Sequence, residues 1–191
     1  MLNQFSRTEL LFGKEAMETL ANKRVAIFGI GGVGGYVCEA LVRSGVMHFD
    51  LIDDDKVCLT NLNRQIIATR KTVGKYKTEV MKERMLEINP NVDVRIHNCF
   101  FLPENADEFP FDEYDYIIDA VDTVTAKISI IMKANELGIP VNYLNLTNLS
   151  SEESNKLSKS NSYLKKNQWG TPTTLFMVGD KVIDSIGQYV D

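Results

Sequence analysis

Apolar positions along the first 140 residues alternate between two rhythms. Leu10, Leu11, Ala16, Met17 and Leu20 recur at helical spacing, which predicts one amphipathic helix over residues 8–21. Arg24-Val-Ala-Ile-Phe28 is instead a short apolar run ending at a glycine, the pattern of a central strand buried on both faces. Residues 36–44 return to helical spacing, closed by Gly45. His48-Phe-Asp-Leu-Ile-Asp53 predicts a second strand, and a polar, irregular stretch follows to Val73. Residues 75–86 predict a helix stopped by Asn89-Pro90-Asn91. Strands are expected over residues 92–97 and 114–119, then a helix over 126–137 closed by Gly138, then a strand beginning at Ile139-Pro-Val141. Strands alternating with helices of this length imply βαβ units. The expected fold class is therefore α/β: a Rossmann-like, mostly parallel sheet flanked by helices, with right-handed crossovers.

Composition changes this picture little. The 191 residues suit one domain, or one domain plus a fragment, and 44% hydrophobic residues suffice for a core. Lys and Arg number 21 against 26 Asp and Glu, a net charge of -5, so any RNA contact would need a local basic patch. No stretch approaches a membrane span, and Met1-Leu-Asn-Gln-Phe-Ser-Arg7 lacks the charge and apolar pattern of a secretory signal. Cys38, Cys58 and Cys99 are widely spaced and form no C-x-x-C pair, which fits a reduced, cytoplasmic protein without a structural zinc site. Cys38 reads as a packing residue, and Cys58 as either packing or chemistry.

The chemistry gathers first at Gly29-x-Gly31-Gly32-x-Gly34, where a buried strand turns into a helix. Glycines there let backbone approach a phosphate, and the helix N-terminus offers free N–H groups and a favourable dipole. The alternative is a tight turn that serves packing alone, and the position between a clear strand and a clear helix favours the nucleotide. About 20 residues on, Asp53-Asp54-Asp55 ends the second strand, where an acid can hold ribose hydroxyls of either NAD or ATP. The next segment discriminates. A dinucleotide enzyme normally passes from that strand end into a helix, whereas this chain runs through a polar loop carrying Asn61, Asn63, Arg64 and Gln65. Arg64 suits charge developing on phosphoryl oxygens, and Asn61 suits ligand hydroxyls or phosphates. Lys77, opening the next helix after Gly74, suits a polyphosphate. Asp122, in Asp119-Ala-Val-Asp122, lies at a strand's carboxyl end, where ligands bind in open α/β sheets. A carboxylate facing triphosphate oxygens needs a metal between them, so Mg2+ is implied. Asp122 or Thr123 would also serve as a helix N-cap.

Together, G-x-G-G-x-G, D-x-D-x-V-x-x-x-N-x-x-R-Q, V-G-x-x-K and D-A-x-D resemble the ThiF/MoeB superfamily of ubiquitin-activating-enzyme-like proteins over about residues 3–141. The resemblance implies adenylation of a carboxylate with ATP and Mg2+. It assigns the nucleotide to Gly29, Gly31, Gly32, Gly34, Asp53, Asp55, Asn61, Asn63, Arg64, Gln65, Lys77 and Asp122. Catalytic roles fall to Arg64, Lys77 and Asp122, and the metal to Asp122. Phe5-Ser-Arg-x-x-x-Leu-Phe-Gly13 and Val57-Cys-x-Thr-Asn-x-Asn-Arg-Gln65 look most like the tRNA threonylcarbamoyladenosine dehydratase branch. Its members adenylate the threonyl carboxylate of a modified adenosine, and ring closure then expels AMP. The implied partner is modified tRNA or, in the sulfur-carrier-protein adenylyltransferase alternative, a small carrier protein. A nucleotide-binding module without turnover is a third reading. The resemblance also carries the expectation of a homodimer.

Beyond Val141 the family's pattern is not legible in the sequence. Leu175-Phe-Met-Val178, a Gly179-Asp180 turn and Lys181-Val-Ile-Asp-Ser-Ile-Gly187 predict a hairpin within a βαββ-like tail. With Gly170-Thr-Pro172-Thr ahead of it, the tail resembles part of a thioredoxin-like domain, with Pro172 expected cis and no redox C-x-x-C. Two readings stand: a fusion of domain 1–141 with a thioredoxin-like segment 142–191, or strands added to the sheet's edge.

Overall fold

The computed structural model describes residues 3–143 together with the backbone of strands 173–178 and 181–187. It divides into two compact units, residues 1–100 and 101–191.

The first unit opens with helices α1 (Ser6–Phe12) and α2 (Lys14–Ala21) where the pattern predicts one. The break is Gly13, whose φ of 83° and ψ of 165° place it where only glycine goes without strain. Strand β1 (Arg24–Phe28) follows, then helix α3 (Gly34–Ser44) and strand β2 (His48–Ile52). A loop containing a 3-10 turn, Leu59–Asn63, leads to helix α4 (Lys77–Ile88) and strand β3 (Asp93–His97). The three strands are parallel, β1 beside β2 and β2 beside β3. Val25, Ile27, Phe28, Phe49, Leu51 and Ile52 are buried along the first two. Against them pack Cys38 and Val42 of α3 and Val80, Met81 and Met85 of α4, all buried. At roughly 1.5–3 kcal/mol for each large apolar side chain removed from water, this contact holds the helices to the sheet.

One polar cluster interrupts this core. Asp50 is fully buried within β2, yet it receives Arg24 Nη1 at 2.8 Å and His97 Nε2 at 2.9 Å. Burial pushes its carboxyl pKa up, but hydrogen bonds from His97 and Arg24 outweigh burial and hold it below the usual range. Arg24 also reaches Asp93 at 2.5 Å.

The second unit contains 3-10 turns Pro103–Glu108 and Phe111–Glu113, neither of which follows a helical or strand rhythm. They gather Phe101, Phe109, Phe111 and Tyr114 into an aromatic cluster, with Phe101 and Phe109 edge to face at 5.4 Å. Strand β4 (Tyr116–Asp119) precedes helix α5 (Val124–Leu137), which ends at left-handed Gly138. Strand β5 (Val141–Tyr143) pairs with β4 in parallel. Strands β6 (Thr173–Val178) and β7 (Lys181–Gly187) then form the expected hairpin, with β6 antiparallel to β5. Pro172 lies outside the described residues.

Candidate functional site

The glycine turn leaves β1 at Gly29, where φ is 90°, a left-handed conformation that needs glycine. Its N–H donates to the Ile52 carbonyl at 2.8 Å, tying the turn to the end of β2. The next N–H, of Ile30, donates to Asp53 Oδ2 at 2.6 Å. Asp53 Oδ1 accepts the Asp55 N–H at 2.8 Å, so this carboxylate braces the turn and the loop after β2 at once. Burial pushes the Asp53 pKa up, against the backbone hydrogen bond from Ile30 and the charge of Lys77.

Gly31 and Gly32 adopt no positive φ. A methyl group on Gly31 would come no nearer than 4.0 Å to Gln65 Nε2, and one on Gly32 would lie 3.5 Å from Arg64 Cγ, both ordinary contacts. Neither conformation nor packing within the chain therefore demands glycine at these two positions. What their hydrogens leave open is space over the turn at the mouth of α3, walled by Arg64 and Gln65. Gly34 opens α3 and is buried. Gly35, which the motif passes over, has the opposite character. A Cβ there would approach Ile66 Cγ2 to 3.2 Å, so Gly35 lets the polar loop lie against the helix.

The loop's side chains divide into braces and exposed groups. Asn61 is buried and accepts the Cys58 N–H at 2.9 Å, capping the 3-10 turn. Arg64 is exposed and donates to the Thr60 carbonyl at 3.2 Å and to Asn63 Oδ1 at 2.9 Å. Gln65 is buried and its Oε1 has no hydrogen-bond partner among the described residues. Such an orphaned acceptor is costly unless a ligand or water satisfies it. Lys77 is buried, with Nζ 2.6 Å from Asp55 and 3.7 Å from Asp53. Asp53, Asp54 and Asp55 form a carboxylate group of metal-binding dimensions, but the Lys77 ammonium already occupies its charge.

In the second unit, Asp119 is fully buried at the end of β4 and accepts Lys127 Nζ at 3.0 and 3.2 Å. Its pKa is pushed up to about 6 by burial, with Lys127 and the Val121 N–H pulling the other way. Asp122 is exposed, three residues on. Thr123, not Asp122, is the N-cap of α5, and it makes no side-chain cap bond. Among the described residues the Asp122 carboxylate meets the Thr123 hydroxyl, at 3.5 Å. It therefore remains available to a cation.

Cys38 is buried in α3 and burial pushes its thiol pKa well up, which suits packing and not nucleophilic chemistry. Cys58 is exposed.

A strand–glycine turn–helix unit braced by the acid at the end of the second strand defines a nucleotide-binding domain of the Rossmann-like class. The comparisons with known proteins place it more narrowly. The family model described as the ThiF family matches residues 5–152, and the chain belongs to that family. The match continues eleven residues past Val141, where the pattern ceases to be legible in the sequence. tRNA threonylcarbamoyladenosine dehydratase of Bacillus subtilis is 45% identical over 141 residues, covering 74% of this chain and 56% of the relative. The Escherichia coli protein of that name is 41% identical over 138 residues, covering 72% and 52%. The chain thus spans about half the length of the curated relatives it matches. Among solved structures, the Escherichia coli dehydratase in complex with AMP superposes with a TM-score of 0.75 and 34% identity, covering 82% of this chain and 72% of that one. Escherichia coli MccB with AMPCPP and MccA gives a TM-score of 0.68 at 28% identity, covering 75% and 44%. The α/β, Rossmann-like class expected from the sequence is the class of these structures. No described helix is long and apolar enough to cross a membrane.

Proposed function

We propose that this chain supplies the ATP-binding, adenylate-forming part of a tRNA threonylcarbamoyladenosine dehydratase. The observation that carries this reading is the space over Gly31 and Gly32, which no contact among the described residues requires, beside Gln65 Nε2 and the exposed Arg64. An adenine nucleotide's phosphates suit that space and its donors. In the proposed step a threonyl carboxylate oxygen of the modified adenosine bonds to the α-phosphorus of ATP. The α–β bridging bond breaks, its electron pair leaves with pyrophosphate, and cyclisation then releases AMP. The N-terminus of α3 and Arg64 would stabilise charge on the phosphoryl oxygens. Asp53 would hold the ribose. Lys77 would turn from Asp55 toward the phosphates, or hold both acids in place. Mg2+, if bound, screens the phosphates, and Asp122 is the carboxylate we assign to it.

ATP–pyrophosphate exchange by the purified chain with modified tRNA tests the proposal. Arg64→Ala is expected to lower exchange by about 100-fold or more. A chain that binds no MgATP sinks it. The carrier-protein alternative keeps support from Ogataea parapolymorpha adenylyltransferase and sulfurtransferase uba4, 35% identical over 130 residues. Offering a diglycine-ended carrier beside modified tRNA and following pyrophosphate separates the two. A cytoplasmic setting and a homodimer belong to the same proposal. Leu10, Leu11 and Phe12 of α1, 64–86% exposed, give an apolar face that a second copy would cover, and sedimentation measures it.

A further inference from the structure

Charge is distributed very unevenly along this acidic chain. Residues 56–77 hold six of its 21 Lys and Arg (Lys56, Arg64, Arg70, Lys71, Lys75 and Lys77) and none of its 26 Asp and Glu. The structure shows why they stand together. Lys56 and Tyr76 form an antiparallel bridge. Val57 N–H donates to Lys75 O at 2.9 Å, and Gly74 N–H donates to Val57 O at 2.8 Å. These bonds make a neck that closes the segment into one excursion from the sheet. Two of the six cations are committed within the protein: Lys77 to Asp55 and Asp53 just ahead of the segment, and Arg64 to Thr60 and Asn63 inside it. Lys56 lies 4.8 Å over the Tyr76 ring, and Lys75 reaches Glu83 at 3.6 Å with both side chains at least half exposed.

Arg70 and Lys71 differ from the rest. Both are exposed, and neither has an ion-pair or hydrogen-bond partner among the described residues. Their backbone is nevertheless fixed. The Thr72 hydroxyl accepts the Thr69 N–H at 2.8 Å and donates to the Ile67 carbonyl at 2.8 Å, so the turn carrying them is built from within. The base of the same loop rests on the nucleotide turn, through Arg64 against Gly32 and Ile66 against Gly35.

We propose that this loop is the surface that holds the phosphate backbone of an RNA substrate, with Arg70 and Lys71 as its principal contacts. This rests on the adenylation reading above and names where that substrate docks. A polyanion is the occupant that complements a segment carrying six cations and no acid on a chain of net charge -5. RNA held there lies on the loop whose Arg64 and Ile66 adjoin the glycine turn, which brings a nucleoside carboxylate toward the α-phosphate.

The test uses the full chain and an unmodified tRNA transcript, followed by fluorescence anisotropy between about 50 and 200 mM salt. Arg70→Glu with Lys71→Glu is expected to weaken RNA binding by about tenfold or more at the lower salt. The slope of log Kd against log salt should become shallower by about 1 to 2. Arg70→Gln with Lys71→Gln, which removes charge without reversing it, should move both readings the same way by less. Lys14→Glu, at an exposed lysine of α2, should change neither. MgATP binding, titrated in the same samples, should be unaltered in all variants. RNA binding that survives both double substitutions with its salt slope intact overturns the proposal, as does an equal loss in Lys14→Glu. A chain that binds MgATP but not RNA at low salt also overturns it, leaving adenylation standing. One that binds RNA through these residues but no MgATP refutes adenylation and leaves the surface.

Discussion

Asp50 in the first unit and Asp119 in the second are both fully buried on strands, and burial drives both toward the protonated form. They nevertheless move in opposite directions. Asp50 is met by an arginine and a histidine from two neighbouring strands, and its pKa falls. Asp119 is met by one lysine and one backbone N–H, and its pKa rises to about 6. Asp119 is also the more deeply desolvated of the two, so heavier burial and fewer donors together raise its pKa, while the donors prevail at Asp50. A planar guanidinium plus an imidazole satisfies more carboxylate lone pairs than a single ammonium does.

Removing the lysine should break this balance most. Lys127→Met leaves Asp119 buried with the Val121 N–H and no countercharge from Lys127, and urea unfolding should show a loss of about 3–5 kcal/mol. Adding Asp119→Leu should restore most of that loss. If it does not, Lys127 stabilises the unit by some means other than this pair. Arg24→Met leaves Asp50 with His97, so the expected loss is smaller, about 1–3 kcal/mol. An Arg24 variant that costs more than the Lys127 variant would reverse the ranking of the two sites.

The pH dependence is the subtlest reading, and its sign differs between the sites. A lowered carboxylate pKa adds stability that is present above the unfolded value, about 3.9, and is lost as pH falls through the folded value. Asp50 therefore makes the fold acid-labile below about pH 4. A raised pKa does the reverse. Between about pH 4 and 6 the folded chain keeps the Asp119 proton that the unfolded chain has released, so this residue's contribution falls as pH rises. Unfolding free energy measured across that window should climb more steeply with pH in Asp119→Asn than in the unmodified chain. An unchanged slope would mean that Lys127 holds Asp119 ionised throughout.

The two sites also differ in how far a sequence can announce them. Lys127 is eight residues from Asp119, close enough that an acid ending an apolar strand invites a search along the next helix. Arg24 is 26 residues from Asp50 and His97 is 47 away, joined only by strand register, so neither is legible before the sheet is known. The same logic separates the fold's readable parts from the rest. Strands β1 to β3 were legible because buried parallel strands are short apolar runs between turn signals. The break at Gly13 was not, because a single left-handed residue leaves the helical period of its neighbours intact. The turns around Phe109 and Phe111 follow neither rhythm. At the site, Gly31, Gly32 and Arg64 were readable as a motif and do meet in space. The bracing of Asp53 by Ile30 was not, because a backbone N–H has no sequence signature. Gly35 was missed because its partner, Ile66, lies in the loop.

The neck formed by Lys56 and Tyr76 has one more consequence, for how this chain tolerates change. Closure entropy grows only with the logarithm of loop length, so doubling the tip beyond a preserved neck would add about 0.6 kcal/mol. The exposed turn at Arg70 and Lys71 can thus be lengthened or exchanged at little thermodynamic penalty, while the buried Asn61, Gln65, Ile67 and Ala68 of the same loop keep their places. That turn behaves as a cassette, in which contact chemistry can diversify without renegotiating the fold.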